Sequence, residues 1–558
     1  MSSARSVVSS AKLIALCTLL SRVTGLIRDI LLARAFGLGW VQDAFVYAFA
    51  FPNLFRRLFG EGAMAPAFVP TFTRTLEQDG RDAAWRLLAH TLALLTVAVT
   101  VVIAIVLVII GVAWVAAPAD PAQAEPRRLL LGLTALMLPF MLSICVLALL
   151  SSILNCVGSF VPAALAPILL NVGMIAGVAW LAPALFPGRP TRQVYVVAGS
   201  VLAAGVLQVA CLLPALRRHG VPLGWRLSTR DPAVRHMLRL LVPVALGQGV
   251  LAFGVFLDQQ LCTMLTHVPG GPAAAHWLGV TFAYPLSEGA LSAVSYAQRL
   301  YQFPLGVLVI SLATAALPAF ARHAARGEWT PWLTEVRQSL RLAVFEGVLA
   351  GTLMIVLAEP ITRLLFERGR FTPDDTARTA HVLVYYGLGL WAFCAQHIVT
   401  RAFYSLGDVQ TPLRISVVLL PANFALSLAL VWRPEVREAA FAVSSTVTSS
   451  AAVIAGLLIL RRRRGTAVVD RATFLALAKM VWLALVTAAV LLPISAVASA
   501  RLAGVRPVLL GRALETLGPL ALGTGVFLAG AYALRLNELT LLLPRRRRRM
   551  PSAGAEGG

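Results

Sequence analysis

The chain has 558 residues, of which 58% are hydrophobic and 13% are charged, whereas a soluble protein carries about 25% charged residues. Lys and Arg number 48 against 25 Asp and Glu, so the formal net charge is +23, and the mean hydropathy is +0.80. These values exclude a disordered chain, a coiled coil and an ordinary cytosolic enzyme, and they favour a protein that meets lipid along much of its length.

Apolar stretches long enough to cross a bilayer, which takes about 20 residues, recur along the whole chain. The clearest runs from Thr91 to Ala117 and has no charge. The pattern predicts an all-α polytopic membrane protein with about fourteen transmembrane helices. Their approximate spans are 11–36, 41–70, 87–117, 129–156, 161–185, 194–216, 236–266, 286–320, 334–358, 379–405, 412–432, 439–460, 473–497 and 515–543.

Arginines between these stretches predict the orientation, because cytoplasmic loops carry the excess of positive charge. The pattern fits both termini in the cytoplasm, and this spacing of basic residues also argues against a nucleic-acid partner. Charges interrupt the first apolar run, so we expect it to stay as a helix and not to be cleaved as a signal peptide. The predicted cytoplasmic set is Arg74, Arg81, Arg86, Arg217, Arg218, Arg226, Arg230, Arg235, Arg322, Arg326, Arg337, Arg461–Arg464 and Arg545–Arg549.

Ionisable residues are dense inside the first two predicted helices. Each charge at membrane depth costs at least roughly 2.5–3.5 kcal/mol, so such residues face a water-filled cavity or pair with one another. Some of the arginines could form structural salt bridges or extend to the interface. Gly25 could bend the first helix, and Pro52 could break the second. The residues concerned are Arg22, Arg28, Asp29, Asp43, Arg56, Arg57 and Glu61.

Arg299 lies in a third such place, inside Ser295-Tyr-Ala-Gln-Arg-Leu-Tyr-Gln-Phe-Pro. Several arginines around one cavity match a pyrophosphate group, because guanidinium donates paired hydrogen bonds to phosphate oxygens and stays charged. A substrate with a phosphate head and an apolar tail would need such a cavity.

Motifs for other chemistry do not occur in the sequence. It contains no GxxxxGK[ST] loop, no CxxC pair and no histidines at metal-ligand spacing. We therefore expect that the chain does not hydrolyse ATP itself, and that any transport is driven by an ion gradient, the membrane potential or the gradient of its substrate.

Several motifs, taken together and in order, resemble the MurJ (MviN) family, which flips the undecaprenyl-pyrophosphate-linked peptidoglycan precursor lipid II. The resemblance covers roughly residues 10–460. It rests on Ser21-Arg-Val-Thr-Gly-Leu-Ile-Arg-Asp, Phe51-Pro-Asn-Leu-Phe-Arg-Arg-Leu-Phe-Gly-Glu-Gly-Ala, Ala166-Pro-Ile-Leu-Leu-Asn, Tyr296-Ala-Gln-Arg-Leu-Tyr-Gln-Phe-Pro-Leu-Gly, Leu365-Phe-Glu-Arg-Gly-Arg-Phe-Thr and Ala402-Phe-Tyr-Ser-Leu-Gly-Asp-Val-Gln-Thr-Pro.

The resemblance implies the fold of the MOP exporter superfamily, with two six-helix lobes around a central cavity. The lobes would be residues 1–220 and 235–462, followed by two additional helices in 470–545 and a short cytoplasmic tail, 546–558. The family's cavity arginines correspond to Arg22, Arg28, Arg56 and Arg299, which would bind the substrate. Its acidic partners, for gating, correspond to Asp29, Asp43 and Glu61.

Some relatives also hold a sodium ion, which implies a coupling ion bound by Asp258, Asn423 and Thr446 here. The sequence departs from that pattern at Ser427, where the second carboxylate is expected. It departs again at Gln298, where many relatives have Asp, and in Val268–Ser287, a longer loop than expected between the seventh and eighth helices. That loop has no Lys or Arg, so we expect it on the outer side of the membrane.

The resemblance therefore implies a lipid II flippase of a bacterial inner membrane, working by alternating access. Membrane lipids and cell-wall synthesis proteins are its expected partners. The alternatives are a flippase for another polyprenyl-pyrophosphate-linked sugar, a cation-coupled multidrug exporter of the same superfamily, and a non-transporting scaffold for wall-synthesis enzymes.

Overall fold

The computed structural model describes residues 2–116, 120–228, 231–277, 279–502 and 504–542, and most of them are helical. Long helices alternate with short turns, as expected for apolar runs separated by Gly, Pro and charged residues. The first nine helices are α1 (Ser2–Phe36), α2 (Trp40–Phe55), α3 (Met64–Gln78), α4 (Arg81–Val115), α5 (Pro121–Met137), α6 (Phe140–Cys156), α7 (Val161–Ala176), α8 (Ala182–Leu185) and α9 (Pro190–Arg218).

The second part of the chain adds eleven helices and a two-stranded hairpin. These are α10 (Pro232–Met264), β1 (Ala274–Trp277), β2 (Val280–Ala283), α11 (Ala290–Pro304), α12 (Ile310–Ala325), α13 (Trp329–Val356), α14 (Ala358–Phe366), α15 (Pro373–Ser405), α16 (Gln410–Leu430), α17 (Ala440–Arg464), α18 (Arg471–Leu502), α19 (Val508–Ala533) and α20 (Asn537–Leu542).

Within the described residues, ten helical stretches are long and apolar enough to cross a membrane. They correspond to predicted helices three to six and nine to fourteen, which establishes a multi-pass membrane protein. Predicted helices one, two, seven and eight are helical too, as α1, α2 with α3, α10, and α11 with α12. Charged residues lie inside the first, second and eighth, so the count of fourteen spans stays a prediction.

Two of the charged helices are interrupted by π-helical turns, at Arg56–Ala63 between α2 and α3 and at Leu305–Val309 between α11 and α12. Such turns are frequent at functional sites. The helix remains α-helical through Pro52 and changes at Arg56, whose N–H bonds to the carbonyls of Pro52 and Asn53. The predicted break thus lies just after the proline.

The loop Val268–Ser287, predicted without secondary structure, contains the antiparallel hairpin. Ala274 pairs with Ala283 and Trp277 with Val280. The turn contains Gly279 at φ +80°, a conformation that glycine adopts without strain. The Phe282 ring packs edge-on against Trp432, with ring centroids 5.2 Å apart.

The chain forms two compact units. Unit 1 comprises residues 1–303, 362–383 and 413–448, and unit 2 comprises 304–361, 384–412 and 449–558. In unit 1, α1 packs against α7, α2 against α5, and α10 against α2 and α3. Its buried core includes Leu32, Phe36, Trp40, Phe45, Phe140 and Val197. The lobes 1–220 and 235–462 stay a prediction.

In unit 2, α18 packs against α13 and α19. The rings of Phe345 and Phe527 meet with centroids 5.2 Å apart, and Arg341 pairs with Glu538. Arg337 pairs with Asp470 at 3.0 Å. The helices after residue 470, α18, α19 and α20, therefore dock on α13 through both apolar and ionic contacts.

Candidate functional site

A polar pocket in unit 1 is lined by α1, α2, the π-helical turn after it, α7, α10 and α11. It contains about 700 Å³ of empty space, its mouth included. The charged lining residues are Arg28, Asp29, Arg57 and Arg299. Among the described lining residues, three arginines and one aspartate give a formal charge of +2.

Arg28 is fixed in place by its neighbours. Its Nε and Nη2 donate to Asp29 Oδ1 at 2.9 and 2.7 Å, and its Nη1 donates to Asn171 Oδ1 at 2.9 Å. Asn171 on α7 is itself held, because its Nδ2 donates to Ser21 O at 2.9 Å and to Thr24 Oγ1 at 3.2 Å. Arg28 and Asp29 are each only 7% exposed, so this guanidinium is preorganised.

Arg299 on α11 approaches the same aspartate from the other side. Its Nε lies 3.5 Å from Asp29 Oδ2, and its side chain is 45% exposed. Asp29 therefore bridges two arginines from different helices, as predicted for charges inside apolar segments. The longer contact and the exposure leave the Arg299 guanidinium available to an anion.

The other predicted binding arginines lie elsewhere. Arg22 and Arg56 are not among the lining residues of this pocket, and Arg56 donates to Asn53 Oδ1 at 3.0 and 3.1 Å. Arg57 lines the pocket instead. The side chain of Glu61 lies outside the part of the chain that the structure describes.

Uncharged polar side chains surround the arginines. Gln42 on α2, Gln259 on α10 and Ser295 on α11 line the pocket, and within the described ranges their side chains make no hydrogen bond. Gln42 is 2% exposed, and its Oε1 is buried without a partner. Gln298 and Gln302, one turn apart on α11, also line the pocket.

Asp43, the predicted gating residue, joins α2 to α11 away from the arginines. Its Oδ2 accepts from Gly289 N at 2.7 Å, and its Oδ1 accepts from Ser292 N at 2.8 Å and Ser292 Oγ at 2.6 Å. In return, Glu288 Oε2 accepts from Trp40 N at 3.1 Å. Each helix thus caps the free N–H groups at the start of the other, where a carboxylate is favoured.

Arg378 on α15 reinforces this end of unit 1. Its Nη1 donates to Glu288 O at 2.9 Å, and its Nε donates to Glu438 Oε1 at 2.9 Å. Arg370 N also donates to Arg34 O at 3.0 Å. The starts of α2, α11 and α15 are therefore tied together by polar contacts.

The predicted sodium ligands Asp258 and Asn423 are in contact, but their donor set does not fit sodium in this conformation. Asn423 turns its N–H groups to Asp258, at 2.9 and 3.2 Å from the two carboxylate oxygens. Its Oδ1 accepts from Thr448 Oγ1 at 3.3 Å, so Thr448, two residues beyond the predicted Thr446, contacts Asn423. Ser427 Oγ bonds with Ser444 Oγ at 2.6 Å.

A cation needs oxygens, and here an amide nitrogen faces the one carboxylate. No group of three or more His, Cys, Asp or Glu residues placed to hold a metal occurs among the described residues. Sodium as the coupling ion therefore stays a prediction from the resemblance.

Sequence reasoning missed Arg57, Asn171, Gln42, Gln259 and Thr448. Arg57 lies within a π-helical turn, which shifts the helix face away from the 3.6-residue period. Asn171 appears in the motif Ala166-Pro-Ile-Leu-Leu-Asn, but its partner Arg28 lies 143 residues away, which no local pattern reveals.

Known proteins resemble this chain over most of its length. The family model described as lipid II flippase MurJ matches residues 32–507. A probable lipid II flippase MurJ of Rhizobium tropici is 33% identical over 437 residues, covering 77% of this chain and 76% of the relative. A lipid II flippase MurJ of Burkholderia cenocepacia is 31% identical over 412 residues, covering 72% and 74%.

Solved structures share the fold. A lipid II flippase MurJ in an inward closed conformation superposes with a TM-score of 0.72 at 20% identity, covering 94% of this chain and 98% of that one. An inward-facing MATE family multidrug transporter of the MOP superfamily gives 0.64 at 16% identity, covering 79% and 94%. The fold is thus that of the MOP superfamily, and by its sequence the chain belongs to the lipid II flippase MurJ family.

Proposed function

We propose that this chain flips lipid II from the inner to the outer leaflet of a bacterial cytoplasmic membrane, for cell-wall synthesis. The observation that carries the proposal is the convergence of Arg28, Arg57 and Arg299 on one pocket with Asp29 as the charged counterpart. The resulting charge of +2 balances the two negative charges of a polyprenyl-linked pyrophosphate. Guanidinium groups bind such oxygens in pairs and keep their charge in a low dielectric.

Arg28 and Arg299 have different parts in this proposal. Arg28 is held by Asp29 and Asn171 and meets the pyrophosphate without rearrangement. Arg299 holds Asp29 at 3.5 Å and is 45% exposed, so it turns towards the phosphate. The incoming anion also relieves the repulsion among the arginines, which lets the helices around the pocket approach.

Release on the other side of the membrane requires a second opening. The reciprocal caps between α2 and α11 hold one end of unit 1 together through Asp43 and Glu288. In an alternating-access cycle these contacts break in one state and re-form in the other, while the polyprenyl tail stays in lipid. No covalent step is needed, so the chain acts as a transporter and not as an enzyme.

The alternative of a cation-coupled multidrug exporter shares the fold of the MATE structures. A pocket of charge +2 repels cationic drugs, so the arginines favour an anionic head. Three expectations from the charge pattern and the resemblance belong to this proposal. Both termini lie in the cytoplasm, the chain contacts anionic lipids, and it works with cell-wall synthesis proteins.

Rescue of a bacterium depleted of its own lipid II flippase tests the proposal, with lipid II at the outer surface as the readout. We expect the native chain to restore surface lipid II and Arg28→Ala and Arg299→Ala to fail at matched membrane levels. Arg326→Ala is the control, because Arg326 is 69% exposed and lies outside the pocket. A well-expressed native chain that restores no surface lipid II would point to another polyprenyl-linked substrate.

A further inference from the structure

Three uncharged polar side chains stand beside the arginines with hydrogen-bonding capacity that the described part of the chain does not use. Gln42, Gln259 and Ser295 come from three different helices, α2, α10 and α11, and line the same pocket. Gln259 and Ser295 are partly exposed within it. Gln42 is 2% exposed, and its Oε1 has no donor.

A buried acceptor without a donor is unfavourable, and sites that keep one commonly satisfy it with a ligand or water. Amide and hydroxyl groups both donate and accept, unlike arginine, which only donates, and carboxylate, which only accepts. Their natural partners are groups that also do both, of which the hydroxyls of a sugar are the commonest. A neutral ligand is also expected here, because the charge of +2 is already balanced by a pyrophosphate.

The apolar part of the wall suits the same ligand. Phe45 and Phe49 follow Gln42 at three and seven residues on α2 and line the pocket. They therefore lie on one face of the helix with it. Their rings lie parallel, with centroids 6.2 Å apart. Phe45 is buried and Phe49 also stacks on Phe140, so these rings form a rigid apolar wall. An apolar wall with a few convergent polar groups is the usual construction of a ligand pocket.

We propose that Gln42, Gln259 and Ser295 form a subsite for the hydroxyl-bearing sugar that is attached directly to the pyrophosphate. The subsite rests on the proposed function, because the arginines place the pyrophosphate and thereby the sugar. It would make the pocket select lipid-linked sugars over bare polyprenyl pyrophosphate. The three side chains thus determine specificity, and the arginines supply the affinity for the anion.

The test compares two lipids that share the tail and the two negative charges of a pyrophosphate diester, lipid II and undecaprenyl methyl pyrophosphate. Their binding to the purified full chain in nanodiscs is measured by native mass spectrometry. We expect the native chain to prefer lipid II by about tenfold, the effect of one or two good hydrogen bonds. Gln259→Met and Ser295→Ala should each reduce this preference by several-fold and leave binding of the methyl diester unchanged.

Two further variants separate the possible outcomes. Gln42→Met is informative only if it folds, since Gln42 is buried, so the partly exposed Gln259 and Ser295 carry the test. Arg299→Gln should weaken both lipids equally. Variants of Gln259 and Ser295 that keep the preference, or that weaken both lipids equally, would overturn the sugar subsite alone. A native chain that binds neither lipid would overturn the proposed function, and the subsite with it.

Discussion

At the scale of single residues, Asp29 determines the charge balance of the pocket, because it is the one carboxylate among the described lining residues. It neutralises Arg28 closely and Arg299 loosely, at 2.7 and 3.5 Å. An anion that enters therefore competes with Asp29 mainly for Arg299. The pocket keeps its excess of positive charge because Gln298 and Gln302, which flank Arg299, carry none.

Charge at these two glutamines should control the affinity for pyrophosphate. Gln298→Asp lowers the pocket charge from +2 to +1, and Gln298→Asp with Gln302→Glu lowers it to zero. A unit charge several ångströms away is worth about 1–3 kcal/mol at an effective dielectric of 20, so we expect roughly 10- to 100-fold weaker binding of undecaprenyl pyrophosphate per charge. Gln298→Asn, which adds no charge, should bind as the native chain does; equal weakening by Asn would show that size and not charge matters.

Substitution of Ser427 can test whether the missing second carboxylate is what prevents a sodium site. Ser427→Asp would place a second carboxylate near Asp258 and Asn423, in a fully buried position. We expect this variant to be less stable than the native chain in choline chloride and to gain about 2–3 kcal/mol in sodium chloride at 100-fold the Kd. The native chain and Ser427→Asn should show no sodium-specific shift in melting temperature. A sodium-specific shift in the native chain would show that Asn423 and its neighbours rearrange to bind the ion.

At the scale of elements, the reciprocal caps make the starts of α2 and α11 depend on each other. Asp43→Asn weakens three hydrogen bonds to a charged acceptor, each worth about 1.5–3 kcal/mol. We expect amide hydrogen exchange at Gly289 and Ser292 to become at least roughly 30-fold faster, corresponding to about 2 kcal/mol. Ser292→Ala removes only the hydroxyl bond to Asp43 and should give a smaller change in exchange at Gly289. Unchanged exchange in Asp43→Asn would mean that other contacts hold this end closed.

Asp408 stabilises the turn between α15 and α16. Its carboxylate accepts from Thr411 N at 2.9 Å and Thr411 Oγ1 at 2.6 Å and pairs with Arg463. Desolvation raises the pKa of Asp408, but the hydrogen bonds from Thr411 and the charge of Arg463 outweigh it. The net pKa is lowered from its ordinary value of 3.8.

Stability from Asp408 should therefore be present above pH 3.8 and be lost as the pH falls through the lower native pKa, because the unfolded chain binds the proton first. We expect Asp408→Ala to cost about 1 kcal/mol, the usual value of a helix cap, with a difference in melting temperature that stays constant from pH 5 to pH 8. Thermal melts across this range measure it. A difference that already shrinks between pH 7 and pH 5 would contradict the lowered pKa.

Sequence predicted the elements better than the contacts between them. The ten apolar spans follow from the length of uncharged sequence that a bilayer requires, and the pairing of charges within apolar segments follows from the cost of charge in lipid. That Asp29 pairs with both Arg28 and Arg299 came from the structure. Whether Arg56 or Arg57 lines the pocket depends on a π-helical turn, which the spacing of hydrophobic residues in the sequence does not reveal. The partners of Asp43 lie about 250 residues away at Gly289 and Ser292, and the hairpin at Ala274–Ala283 is too short to leave a strong pattern.

At the scale of the whole molecule, the positive charge is distributed unevenly along the chain. The run Arg461–Arg464 follows directly on an apolar helix, whereas the loop with the β1–β2 hairpin has no Lys or Arg. Regions rich in Arg remain in the cytoplasm, so the two segments are expected on opposite sides of the membrane. The same asymmetry would give the cytoplasmic side contacts with anionic lipid headgroups.

Epitope insertion can test this orientation at two exposed glycines. Gly270 precedes the hairpin and Gly465 follows the arginine run, and both have positive φ in turns that can accept an insertion. We expect an epitope after Gly270 to bind antibody on intact spheroplasts and an epitope after Gly465 to bind it only after permeabilisation. Rescue of growth by each tagged chain controls for folding. If the two epitopes exchanged their behaviour, the termini would lie outside, and the arginine pocket would have to load its substrate from the opposite leaflet.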